Sequence, residues 1–541
     1  MSALPAAVGA ALGATGLPLL PFLPDIGRLL GERGSLVLSA EPGAGKTSLI
    51  PPFLAFGEAS PGAGAGGAVL LVEPRRIAAV GAAARIAEIL GEDAGRSVGY
   101  RVRGDSRCGR STRVVAMTEG VLVRMIQDDP GLAGVGCVVL DEFHERSAAM
   151  DLCLALLAEA RAIRPDLRLL VMSATLDVEG IAAFLGAPAL EAPGRAFPVE
   201  TRHVAVAGGR GFEERVAALA PGLARESGGD VLVFLPGAAE IGRAARALEG
   251  SGLEVLPLHG SLPLEEQRRV VAPPGGDEAP GGARRRVILA TSVAETSLTV
   301  PRVRAVVDCG LARLTRFQVR SGLNRLVTEL ESADRADQRR GRAGRLGPGL
   351  CVRAWPEGET LPARVEPELR RAELSGIVLE SAVWGARGRT GLPWLETPPQ
   401  AAWDAAVELL GELGALDAAG APTGLGKRMA SLGAEPRLAA LVLRGARGGR
   451  GEGWTACRLA ALLSGRGEPG ERDLASRLES LDASGGRDPR AASVEEEARR
   501  LAAAAGIRPA PGGGGGRSGI GALLAAAFPD RVGKRVEYRG A

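Results

Sequence analysis

The chain has 541 residues, 46% hydrophobic and 24% charged. That composition is ordinary for a globular protein, and the length is too great for one core, so three or four domains are expected. A net charge of +3 excludes a global basic field, although a locally basic groove is compatible with a balanced total. Arginine supplies nearly all the cations; Lys46, Lys427 and Lys534 are the only lysines, which makes Lys46 informative.

Residues 1–24 are interrupted by Pro5, Pro18, Pro21 and Pro24, and no basic segment precedes an apolar one. Neither a signal peptide nor a membrane span is expected there. Residues 35–40 read as a buried strand that ends in a Gly-rich turn, with a helix from about Lys46. Apolar runs follow at 68–72, 113–116, 137–140 and 168–172, with helical stretches such as 77–90 and 148–162 between them. The pattern begins again after Gly194, with strands at 231–235, 255–258, 287–290 and 303–307 and a helix at 239–248. Strands alternating with helices predict an α/β fold, two tandem parallel sheets covered on both faces, with ligands at the carboxyl ends of the strands.

The alternation stops after Trp355. Residues 360–450 read as helices, with a helix end and turn at 409–417. Residues 466–516 are richer in Gly, Pro and charge and end in Gly512–Gly516, read as a flexible loop. The expected domains are 1–200, 201–358, 359–450 and 451–541. The cysteines, Cys108, Cys137, Cys153, Cys309, Cys351 and Cys457, form no C-x-x-C pair. This argues against zinc or an iron–sulfur cluster and predicts a reducing, cytoplasmic location.

Three segments carry chemistry. In Ala40-Glu41-Pro42-Gly43-Ala44-Gly45-Lys46-Thr47, followed by Ser48, Gly43 and Gly45 let backbone N–H groups point at a β-phosphate. Lys46 reaches the β/γ oxygens, and the Thr47 hydroxyl coordinates Mg²⁺. Ala40 stands where such loops usually have their first Gly, and a small residue still fits the turn. Asp141-Glu142-Phe143-His144 follows an apolar run, which places two carboxylates at the mouth of the sheet. Asp141 would hold the metal and Glu142 would polarise water; taken alone, the pair also reads as an acidic N-cap. Gln338-Arg339-Arg340-Gly341-Arg342-Ala343-Gly344-Arg345 supplies arginines at fixed spacing, far enough along to belong to the second unit.

The Asp141–His144 segment resembles the box of DExH/DEAH-type superfamily 2 helicases. Glu73-Pro74-Arg75-Arg76-Ile77-Ala78-Ala79, Thr118-Glu119-Gly120, Ser173-Ala174-Thr175, Thr291-Ser292-Val293-Ala294-Glu295-Thr296-Ser297 and Gln338–Arg345 resemble that group's other motifs, in order. Within it, Asp141–Ser147 and Val306–Arg313 are most similar to the bacterial HrpB-type helicases. The resemblance implies two RecA-like domains followed by a mostly helical winged-helix and bundle region. It also implies a further C-terminal region, expected here to be shortened.

By the same resemblance, Ser173 and Thr175 couple nucleotide state to domain contacts. Gln338 positions water, and Arg342 and Arg345 are arginine fingers. Arg75, Arg76, Thr118, His259 and Thr291 touch a sugar–phosphate backbone, contacts without sequence specificity. Residues 316–328 form a strand-separating hairpin or an ordinary surface ribbon. Arg85 and Leu311 flank the base, a Leu stacking more weakly than an aromatic. His144 hydrogen-bonds across the domain cleft, and His203 is structural. The expected activity is hydrolysis of ATP and of other NTPs, with Mg²⁺, driving 3′→5′ movement on single-stranded nucleic acid, RNA in preference to DNA. Rival readings are a DNA helicase, a remodelling ATPase that does not unwind, and a non-catalytic RNA-binding chain.

Overall fold

The structure is a computed structural model. It describes residues 5–41, 43–57, 67–174, 178–194, 197–260, 262, 264–271, 285–295, 300–448, 450–464, 473–484, 488–510 and 517–533. Pro42, Thr175 and the Gly512–Gly516 run lie outside the described residues.

The first sheet is built from β1 (Ser35–Ala40), β2 (Ala68–Glu73), β3 (Val98–Val102), β4 (Asp105–Arg107), β5 (Val114–Thr118), β6 (Val135–Leu140), β7 (Arg168–Ser173) and β8 (Ala189–Ala192). Its order is β4-β3-β5-β2-β6-β7-β1-β8. Every pairing in it is parallel except β3 with β4. The central strands are continuous apolar runs because helices cover both faces. Leu36, Leu38, Val69, Leu71, Cys137 and Val139 join one core with residues from the helices Leu23–Arg33, Lys46–Phe56 and Arg76–Ile89.

The second sheet uses β9 (Val199–His203), β10 (Asp230–Phe234), β11 (Glu254–Leu258), β12 (Arg286–Ala290), β13 (Val303–Asp308) and β16 (Gly349–Arg353), ordered β11-β12-β10-β13-β16-β9 and all parallel. Side chains alternate between its faces. Val231, Val233, Val287 and Leu289 enter one core, and Leu232, Phe234, Ile288 and Ala290 the other. A separate ribbon pairs β14 (Leu311–Gln318) with β15 (Leu323–Leu330).

The strands expected from the apolar runs are present. Those not anticipated, β3, β4, β8, β9 and β16, are short or polar and lie at or beside sheet edges. In β9 half-buried and exposed positions alternate, so no apolar run marks it.

Residues 1–316 and 324–372 form one compact unit; residues 317–323 and 373–541 form another. The second unit is mostly helical. Its helices include Ser375–Trp384, Gln400–Glu412, Gly424–Ser431, Pro436–Gly445, Arg450–Ser464 and Pro489–Ala505. After Gln400–Glu412 the chain turns through Gly414 (φ 69°) and makes an antiparallel bridge between Leu416 and Pro422. Helices also fill much of the Gly- and charge-rich 466–516 region, at Leu474–Ser484 and Pro489–Ala505. In the hairpin-tip segment of this unit, the Gly322 carbonyl accepts from Arg531 Nη2 at 3.2 Å. No described helix is long and apolar enough to cross a membrane.

Candidate nucleotide and nucleic-acid site

The loop after β1 turns through Gly43 (φ 87°) and Gly45 (φ 100°) into the helix Lys46–Phe56. These left-handed positions suit glycine. A Cβ on Gly45 would also meet Leu17 Cδ1 at 2.9 Å. The segment before β1 supports the loop from behind, since Leu19 N donates to Ala44 O at 3.0 Å. Lys46, the first helical residue, is buried, and its ammonium donates to Ala40 O. Burial lowers its pKa, Glu142 and Asp141 oppose that, and Arg345 adds to it. Glu41 is exposed at the end of β1, and Ser48 is half-buried on the helix.

Asp141 follows β6, fully buried, and accepts from Thr47 Oγ1 at 2.6 Å through Oδ2 and from its neighbour's N–H, Glu142 N, at 2.8 Å through Oδ1. Burial and the adjacent Glu142 raise its pKa to about 6, with Lys46 and Thr47 pulling the other way. A hydroxyl and a carboxylate at this separation form a hard-oxygen donor set of the kind magnesium takes. The phosphate loop, Lys46 and this pair therefore fit a magnesium nucleotide.

Sequence reasoning did not single out Glu73. It ends β2, is buried, and lies against Asp141; burial, then Asp141, raises its pKa well above the ordinary range. Its quoted motif was the available signal, although its charge suggested no role.

The turn after β6 is strained. Glu142 (φ 50°) and Arg146 (φ 46°) are both left-handed non-glycines, each costing about 1–2 kcal/mol. The turn is tied down at several points. Arg146 forks onto Asp151 at 3.0 and 3.3 Å and lies over the Phe143 ring. Ser147 caps the helix Ala148–Ile163 by accepting from Met150 N at 3.0 Å, and its hydroxyl donates to Glu119. Burial raises the Glu119 carboxyl to about 8.

His144 is buried, and burial lowers its pKa. Its Nδ1 accepts from Ala174 N at 3.4 Å, and its Nε2 lies 3.4 Å from Glu142 Oε2. This corrects the expected hydrogen bond across the cleft. Both contacts stay within the first α/β domain, because the turn brings the ring over the end of β7. Ser173, at that strand end, is fully buried beside Ser39 of β1.

The second sheet contributes the helix Ala333–Gly341 and the turn Arg342–Gly344. Gln338 and Arg342 are buried there, and Arg345 is half-buried. Arg342 donates through Nη2 to Glu295 O. Burial, then the neighbouring Arg345, lowers its pKa well below the usual range. Burial lowers Arg345 to about 10, with Glu142 of the first sheet opposing the shift. Lys46, Glu142 and Arg345 thus share one electrostatic environment, although almost 300 positions separate the first and the last.

Arg339 was missed. It is fully buried among Glu295 (2.6 Å), Asp308 (2.8 Å) and Glu331, with Phe234 below its guanidinium. Its neighbours lie in separate motifs, and only the folded chain brings them together.

The residues expected to meet nucleic acid stand at the carboxyl ends of other strands. Register pairs Glu73 with Thr118, and His259 and Thr291 directly follow the paired Leu258 and Ala290. Arg76 is exposed at the start of its helix. Arg75 is engaged internally, with Glu145 at 3.1 Å and with Ser292 O of the second domain at 3.5 Å. Arg85 is exposed and pairs with Glu88 at 2.7 Å. Leu311 packs on the core of the second sheet. His203 Nδ1 lies 3.2 Å from Trp355 O.

Residues 26–184 match the DEAD/DEAH box helicase family, and residues 214–347 match the helicase conserved C-terminal domain. The chain is 40% identical over 526 residues to the ATP-dependent RNA helicase HrpB of Escherichia coli, covering 96% of this chain and 62% of that protein. It is 35% identical to the ATP-dependent RNA helicase HrpA homolog of Haemophilus influenzae, covering 79% of this chain and 33% of the relative. A crystal structure of the Escherichia coli DEAH/RHA helicase HrpB superposes with a TM-score of 0.83 at 39% identity, covering 95% of this chain and 63% of that one. The chain therefore spans about three fifths of the length of these HrpB relatives.

Proposed function

We propose that this chain, which belongs to the DEAD/DEAH box helicases, hydrolyses ATP and other NTPs in response to single-stranded RNA. It couples hydrolysis to movement along the strand and to unwinding or remodelling of duplex. The observation that carries this reading is the convergence of Lys46, Thr47, Asp141 and Glu142 of the first sheet with Arg345 of the second.

Bound magnesium nucleotide would supply a phosphoanhydride open to attack by water. Thr47 and Asp141 would hold the metal. Lys46 and the loop amides of Gly43 to Thr47, with Glu41, Pro42 and Ser48 around them, would hold the phosphates. Glu142 Oε2 would take the proton of the attacking water, with His144 Nε2 beside it and Gln338 orienting the water. Arg342 and Arg345, approaching from the other domain, would neutralise developing charge, so that turnover requires the domains to meet. Ser173 and Thr175 would pass that state on. Buried cations are the right kind for this task, because a low local dielectric magnifies their effect on a polyphosphate.

Arg76, Thr118, His259 and Thr291 would line the strand path, with Arg75 joining it or bracing the cleft. The β14–β15 ribbon would meet the duplex. Arg85 and Leu311 would flank the base. In this reading the domains run 1–200, 201–358, 359–450 and 451–541, and the protein works in the reducing cytoplasm, where its six cysteines stay thiols. The relatives' printed names favour RNA.

The test is phosphate release with no strand, with poly-RNA and with poly-DNA. Stimulation that depends on the 2′-OH supports RNA. Equal stimulation by DNA would make this a general strand-dependent motor, and no hydrolysis under any condition would sink the reading.

A further inference from the structure

Residues 356–372 leave the end of the second sheet and touch three motif-bearing elements in turn. Pro362 O and Ala363 O accept from Ala333 N (2.8 Å) and Asp334 N (3.3 Å), at the start of the helix that carries Gln338. Glu366 pairs with Arg316, which also forks onto Glu329 across the base of the ribbon at 2.9 and 2.7 Å. Arg371 Nη1 donates to Thr315 O at 3.2 Å, and its Nε donates to Glu366 O at 3.1 Å. Glu368 then reaches the other domain. Its N–H donates to Arg146 O at 2.9 Å, and its Oε2 accepts from Ala148 N at 3.0 Å. Leu369, beside it, is buried.

Glu368 thus grips both ends of Arg146-Ser147-Ala148, the close of the strained turn that begins at Glu142. An N–H at the start of a helix has no intrahelical acceptor, and here the acceptor comes from 220 residues along the chain. Left-handed non-glycine residues persist only where their surroundings hold them. One residue of the strap does this for the turn, while its near neighbours Glu366 and Arg371 hold the ribbon base.

We propose that Glu368 is a positioning residue, through which residues 356–372 link the ribbon base and the arginine helix to the Asp141–Ser147 turn. The inference rests on the hydrolytic reading above. It touches no phosphate and leaves Lys46 and Thr47 untouched. Loss of the side chain should therefore misplace Glu142 without weakening nucleotide binding.

The test compares the parent chain with Glu368→Ala and Glu368→Gln. The expected result for Glu368→Ala is a loss of about tenfold in strand-stimulated kcat, with KM for ATP held within about twofold, as for lost positioning hydrogen bonds. Glu368→Gln, which keeps an amide oxygen for the Ala148 N–H, should restore most of the rate. Amide exchange at residues 146–150 should quicken in Glu368→Ala and stay near the parent in Glu368→Gln. Parental kcat together with parental exchange in Glu368→Ala would overturn the proposal. So would equal loss in both variants accompanied by a fall in thermal midpoint, which would mark a purely structural residue. A parent chain without hydrolysis would instead overturn the underlying activity, and quickened exchange in Glu368→Ala would identify that failure as separate from the contact itself.

Discussion

Arg339 and its neighbours Arg342 and Arg345 belong to one short run, yet their surroundings push them in opposite directions. Burial disfavours the charge of Arg339, but Asp308, Glu295 and Glu331 hold its pKa well above the usual range. Burial lowers both Arg342 and Arg345; Arg345 adds to the lowering at Arg342, and Glu142 only partly opposes it at either. The first is a cation matched by the protein's own carboxylates, a brace between β13, the end of β15 and the turn carrying Glu295. The others are cations without such a set of matching carboxylates, Arg342 buried and Arg345 half-buried and near Lys46, whose pKa burial also lowers. A polyphosphate would relieve that imbalance. A basic run read from sequence looks uniform, but its members differ by which carboxylates and cations lie around each.

The contrast breaks most clearly at Lys46. Lys46→Ala removes a cation from the open cluster, and NTP hydrolysis should fall by about 10²–10³-fold or more, measured by phosphate release, with the fold retained by circular dichroism. Arg339→Met should do the reverse. It strands three buried carboxylates, and a denaturation curve should show a loss of about 3–5 kcal/mol; a stability near the parent would mean the closed cluster is not a brace. A smaller effect concerns the base. With Leu311 committed to the core of the second sheet, rates with GTP, CTP and UTP should lie within about tenfold of ATP, since a stacking contact is worth about 1 kcal/mol. A stronger preference for ATP would require an adenine pocket elsewhere.

The smallest effect concerns Glu119, whose carboxyl burial raises from 4.5 to about 8. The folded state holds this proton more tightly than the unfolded chain. Its contribution to stability is complete below about pH 4.5 and is lost as pH rises through about 8. Glu119→Gln cannot lose that proton. The thermal midpoint of the variant relative to the parent should therefore climb across this window, and a constant difference would show that Glu119 is ionised in the fold.

The alternation of apolar runs and helices was legible because both sheets are covered on both faces, so each central strand, such as Val231 to Phe234, is apolar throughout. Edge strands such as β9 escaped because one face is polar. The phosphate loop and Asp141-Glu142 stood out in sequence because a glycine-rich turn with Lys46 and a pair of carboxylates each follow an apolar strand, an order that neither segment has alone. Glu73, Arg339 and Glu368 were not, because each acquires its role from partners distant in sequence: Asp141, the Glu295–Asp308–Glu331 set, and the Arg146–Ala148 turn. The partner of His144 was expected across the cleft because sequence does not reveal that the turn at Glu142 is left-handed, which folds the ring back onto Ala174.

The central claim is that Glu142 activates water at a site that binds nucleotide through other residues. Its most direct test is Glu142→Gln, measured for nucleotide binding and for strand-stimulated turnover in the same preparation. The account predicts near-parental binding and turnover reduced by about 10²–10³-fold; hydrolysis at the parental rate would contradict it.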